Sequence, residues 1–182
     1  MTKKILIMSA SIGTGHTQAA RAIEEYMGKN CIDYDVEHVD FISNDVLSID
    51  NLVKETYIKI LDLFPLVYDL MYYSSQGYKK GMIVKTLFAW GLKRRMSRIL
   101  EEKRPDIIVC TAGAASLLKR QKKTTVPVVG VITDFAIHSL WIYPQIDKYF
   151  VAAPHLKNLL VDQGVAAHKV FVSGIPVRTA FT

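Results

Sequence analysis

The residues with the clearest capacity for chemistry lie in "SASIGTGHT", residues 9–17, directly after the apolar run "ILIM". Gly13 and Gly15 flank Thr14, and His16 follows at once. A glycine turn between a strand and a helix brings backbone N–H groups to the helix start, where they favour an anion or a polarised oxygen. It is not a Walker loop, because the G-x-x-x-x-G-K-[ST] spacing and its lysine are both absent. A dinucleotide fingerprint would place a third glycine where Gln18 stands, although Asp40 ends the next strand about where a ribose-binding acid belongs. His16 falls in the first turn of the helix. Such a position disfavours a cation, which suits an imidazole acting as a general base. A histidine that merely caps the helix or bonds a neighbouring loop fits the same position equally well.

The elements that must hold this loop follow from the hydrophobic pattern. Continuous aliphatic runs at 3–10, 104–111, 126–134, 148–154 and 169–176, with an alternating one at 34–41, read as strands. Helical patterns at 17–27, 112–122 and 155–164 lie between them, the last ended by Gly164. Strands of this kind separated by helices predict an α/β fold, a Rossmann-like doubly wound parallel sheet covered on both faces. Ligands in such sheets collect at the carboxyl ends of the strands. The unusual residues cluster there: Ser9 to His16, Asp40, Thr111 to Gly113, Thr133, Asp134, and Ser173 to Pro176. The stretch 44–104 holds no convincing strand and is expected to be a helical insertion beside that edge.

Size and composition bound the rest. A length of 182 residues suits one domain, and 50% hydrophobic residues supply an ample core. Cys31 and Cys110 lie far apart with no metal or CxxC spacing, so neither a metal site nor a disulfide is expected, as in a cytosolic protein. No signal peptide and no spanning segment are read. The net charge of +6 is concentrated in residues 79–104, where nine basic residues face only Glu101 and Glu102. Such a region should meet an anionic partner.

Three segments together carry a family resemblance: "SASIGTGHTQAARAI", "ITDFAIHSLWIYPQIDKYFVAAP" and the terminal "VSGIPVRTAF". In order and spacing they resemble the amino-terminal half of the diacylglycerol glycosyltransferases. That family includes the monogalactosyldiacylglycerol synthases of plastids and the processive diacylglycerol glucosyltransferases of bacteria. The resemblance implies a GT-B architecture, two Rossmann-like domains across a cleft, with the lipid acceptor on the first and a UDP-sugar on the second. It makes His16 the candidate base on the acceptor hydroxyl. Asp134 would orient or charge-stabilise His16, or bond the acceptor, although a helix N-cap suits it as well. Gly13, Thr14, Gly15, Thr133, Phe135, His138 and Trp141 become acceptor-binding candidates, with packing the default for His138 and Trp141. A single displacement implies inversion at the sugar. No cofactor or metal is expected in this chain, since the donor belongs to a second domain that lies beyond Thr182. On its own the chain is expected to be inactive. The segment "TAGAAS" (111–116) departs from the family pattern at that edge.

The basic region adds a membrane expectation. Over 82–100, Phe88, Leu92, Met96, Ile99 and Leu100 form one stripe suited to the sheet, while Ile83, Leu87 and Trp90 form a second, continued by Arg94. A second apolar stripe beside Lys93, Arg94 and Arg95 suits a bilayer surface, with Trp at the head-group level. Packing of Leu87 and Trp90 against residues 57–73 is the alternative. Nucleic acid is not expected, because no binding motif or stacking face is present. The expected setting is cytoplasmic and peripheral on the membrane. The rival classes are a non-catalytic lipid-binding module and a dinucleotide-binding domain.

Overall fold

The structure, a computed structural model, describes residues 2–10, 14–41, 94–112, 126–137, 141–143 and 146–181. In chain order these form β1 (Lys3–Ser9), α1 (Gly15–Asn30) and β2 (Tyr34–Asp40), then α2 over 94–103. There follow β3 (Ile107–Cys110), β4 (Val128–Ile132), β5 (Lys148–Val151), α3 (Pro154–Asp162) and β6 (Val170–Val172). The six strands make one sheet in the order β2-β1-β3-β4-β5-β6, parallel throughout. This is the Rossmann-like α/β class that the apolar runs predict.

A parallel sheet must be covered on both faces, and the alternation along each strand divides the core accordingly. Ile5 and Ile7 of β1 join Val109 and Val131 on one face, where Ala20 of α1 packs, with Ile23 and Met27 at its margin. Leu6, Met8, Cys110 and Ile132 point the other way, onto Met96 and Ile99 of α2 and Leu156 and Leu160 of α3. Leu6, Ile7 and Met8 are completely buried, and each such side chain contributes about 1.5–3 kcal/mol through burial. Small side chains at Ala19, Ala20 and Ala22 let α1 lie close against the sheet. Within α2, Met96 and Ile99 belong to the core and Leu100 packs against it, so this end of the predicted stripe faces the sheet.

The helix ends have local causes. Pro154 opens α3, where its missing N–H costs nothing. Gly164, at φ +95, closes it, with its N–H on the carbonyl of Val161 and the Val165 N–H on that of Leu160. At the end of α2, Arg104 adopts φ 45 ahead of Pro105, and its N–H still bonds the Leu100 carbonyl. Both cysteines are free, and burial pushes the Cys110 thiol up to about 12, which makes it inert.

The strands stop short of the predicted limits at their carboxyl ends. β4 ends at Ile132, paired with Val151, so Thr133 and Asp134 have left the ladder. β6 likewise ends at Val172, before Ser173 to Pro176. Most of the predicted insertion, and the helix predicted over 112–122 apart from Ala112, lie outside the described residues.

Candidate active site at the carboxyl edge of the sheet

β1 and β3 are hydrogen-bonded neighbours, yet β2 lies on the far side of β1 and the later strands continue beyond β3. The chain therefore leaves this point in both directions, which opens a crevice at the carboxyl ends of β1 and β3. The start of α1 rises from that crevice. Thr14 is the N-cap but makes no side-chain capping bond, and the first turn carries no acidic residue. Its backbone donors therefore have no side-chain cap. A Cβ at Gly15 would meet nothing within 4 Å, and Gly15 has no positive φ. Packing within the described chain does not demand a glycine there; the space beside it is open.

His16, in that first turn, is fixed at two points. The Thr111 hydroxyl, just past β3, donates to the His16 backbone carbonyl at 2.9 Å, while the Thr111 N–H bonds the Met8 carbonyl at 3.0 Å. Thr111 is fully buried, so the exits of β1 and β3 and the start of α1 are fastened together. On the ring, Nδ1 lies 2.7 Å from the Thr133 hydroxyl oxygen, just past β4. The half-buried imidazole has no other partner among the described residues. In the same turn the Thr17 hydroxyl is buried without a hydrogen-bond partner among the described residues.

Among the described residues, the side-chain partner of Asp134 is Trp141. The Asp134 Oδ2 accepts the indole N–H of Trp141 at 3.2 Å, and the neighbour on His16 is Thr133. Trp141 is 2% exposed, a core residue that anchors the loop after β4. The Tyr149 hydroxyl holds the same loop, accepting the Tyr143 N–H at 3.2 Å and donating to its carbonyl at 3.3 Å. Phe135, by contrast, is 70% exposed beside the crevice. The structure thus brings Thr14, Gly15, His16, Thr133, Asp134 and Phe135 to one edge, with Trp141 beneath it. Gly13, His138, Ile83, Leu87, Trp90 and Lys93 lie outside the described residues. Arg94 is exposed at the start of α2, and Arg95 is half-buried.

One cluster escaped the sequence reading. The fully buried Ser9 hydroxyl lies 2.8 Å from His38 Nε2, and His38 Nδ1 lies 3.9 Å from a Glu24 carboxylate oxygen. Desolvation pushes the His38 pKa below its ordinary value; Glu24 and then Asp40 act against that shift. The signal was present in the alternation of β2, which puts Val36, His38 and Asp40 on the face toward α1. Pairing of Ile7 with His38 and of Ser9 with Asp40 makes Ser9 and His38 diagonal neighbours there. Among the described residues no group of three or more His, Cys, Asp or Glu is placed to hold a metal ion. No described helix is long and apolar enough to cross a membrane.

A six-stranded parallel sheet with a switch point between β1 and β3 defines a Rossmann-like α/β domain. The family is specific: residues 16–177 match the model of monogalactosyldiacylglycerol (MGDG) synthase, and the chain belongs to that family. It is 33% identical over 180 residues to a processive diacylglycerol beta-glucosyltransferase of Bacillus cereus (strain B4264), covering 98% of this chain and 46% of the relative. The protein of that name from Bacillus thuringiensis (strain Al Hakam) shows the same identity and coverage. The chain therefore spans about half the length of the curated relatives it matches. Among solved structures, the apo form of the lipopolysaccharide outer core galactosyltransferase WaaB is similar in fold. That match has a TM-score of 0.50 at 15% identity, covering 93% of this chain and 44% of the other.

Proposed function

We propose that this chain is the acceptor-binding half of a two-domain, GT-B-type glycosyltransferase that moves a sugar from a UDP-sugar to diacylglycerol. Family membership and the names of the curated relatives support the reaction class. The observation that carries the reading to a site is His16. It stands at the crevice with Nδ1 beside the Thr133 hydroxyl, its carbonyl held by Thr111 and Nε2 without a partner among the described residues. In this reading Nε2 accepts the proton of the glycerol hydroxyl as that oxygen attacks the anomeric carbon. The C–O bond to UDP breaks on the opposite side, so the configuration inverts. A general base of this kind contributes about 10²–10⁴-fold to the rate. Gly15, Thr14 and Phe135 line the acceptor's approach, and the donor binds a second domain outside this chain.

The same reading puts the protein on the cytoplasmic surface of a membrane, bound peripherally. The basic surplus of residues 79–104 and the exposed Arg94 support attraction to anionic head groups. Each such charge near the surface adds about 1 kcal/mol. The test is sugar transfer by the full-length enzyme carrying His16→Gln, measured on diacylglycerol vesicles alongside vesicle sedimentation. Turnover should collapse while sedimentation stays at the wild-type level.

A further inference from the structure

From the geometry around the imidazole we infer that Thr133 is a positioning residue that selects the tautomer of His16, with Thr111 fixing the backbone beneath it. The inference rests on the reading of His16 as a base. A base at Nε2 requires a lone pair on that nitrogen, so the ring proton must sit on Nδ1. Histidine in water prefers the opposite tautomer, with the proton on Nε2. A hydrogen-bond acceptor at Nδ1 is therefore needed to reverse the preference. Thr133 Oγ1, 2.7 Å from Nδ1, stands where it can accept from that nitrogen when the ring proton is there.

The described partner of the ring is a hydroxyl and not a carboxylate, and the neighbouring Asp134 Oδ2 accepts from the Trp141 indole. A hydroxyl can accept from Nδ1–H both before and after Nε2 takes a proton, so the one contact serves both states of the ring. Thr111 supplies the second constraint. By bonding the His16 carbonyl it fixes the first turn of α1, and the ring then swings only about its side-chain torsions. Two threonines at the exits of β3 and β4 thus set the position and the protonation pattern of one imidazole.

The test compares full-length wild type, Thr133→Val and Thr133→Ser, all checked for folding by their melting transitions. Valine nearly preserves the shape of threonine, and serine preserves the hydroxyl. Long-range ¹H–¹⁵N spectra of the His16 ring report the tautomer directly. Wild type and T133S should show the proton on Nδ1, and T133V should show it on Nε2. T133V should lose roughly ten-fold or more in kcat with KM unchanged, part of the rate a general base supplies, and T133S should recover most of it. An unchanged tautomer in T133V, or a raised KM with wild-type kcat, overturns the proposal. Loss of turnover in H16Q with normal turnover in T133V overturns the Thr133 role alone and leaves the base reading standing. Normal turnover in H16Q removes the base reading, and the ring spectra still decide whether Thr133 sets the tautomer.

Discussion

The hydroxyl of Thr111 donates to the backbone carbonyl of His16 across 95 residues of sequence, at 2.9 Å, and with no exposure to solvent. One side chain thereby joins the exit of β3 to the first turn of α1. The candidate base is held by the framework of the sheet, and its loop does not have to order it alone.

That bond predicts a combined loss. Thr111→Val removes the donor at constant shape and should destabilise the fold by about 1 kcal/mol, the typical net worth of a buried hydrogen bond. A melting curve of the variant reads the stability. Sugar transfer by the full-length enzyme should fall with it at temperatures where the variant is fully folded.

The half-buried His38 predicts acid sensitivity. Its folded pKa lies below the ordinary value of 6.5, chiefly through desolvation, so the unfolded chain takes up a proton that the folded one resists. Stability should decline as pH falls below about 6.5 and level off only below the depressed folded value. His38→Gln keeps a polar partner for Ser9 but does not titrate. Unfolding free energies of the two proteins between pH 8 and pH 5 should therefore diverge, the variant showing the flatter profile.

Glu25 predicts a transition at lower pH. The Thr179 hydroxyl first, then the Lys29 ammonium and the Arg178 guanidinium, hold its carboxyl at about 2 instead of 4.5. These contacts anchor the segment after β6 onto α1. A depressed carboxylate stabilises above its unfolded pKa, so this contribution is complete above pH 4.5 and is lost as pH falls toward 2. Glu25→Gln should remove that part of the acid transition. It should also speed proteolysis within residues 173–181, read by limited digestion and mass spectrometry.

Much of the fold was legible because a parallel sheet writes itself as continuous aliphatic runs such as "ILIM" and "IIVC". The strand ends were not, since Thr133 and Asp134 extend an apolar run that the pairing with β5 stops at Ile132. The edge that gathers His16, Thr133 and Thr111 followed from strand order alone. Which side chain touches which did not: Thr133 and His16 are 117 residues apart, and nothing local separates Thr133 from Asp134 as the imidazole's neighbour. His38 was hidden for a related reason: a histidine in an edge strand looks exposed until the layer covering it is known.

The central claim is that His16 accepts the proton of the attacking hydroxyl. The measurement that tests it most directly is the single-turnover rate of sugar transfer to diacylglycerol vesicles by full-length His16→Gln, at saturating UDP-sugar and with vesicle binding measured in parallel. With His16 as the base, the rate falls at least about a hundred-fold below wild type while binding is unchanged. A wild-type rate in a variant that binds vesicles normally would contradict it.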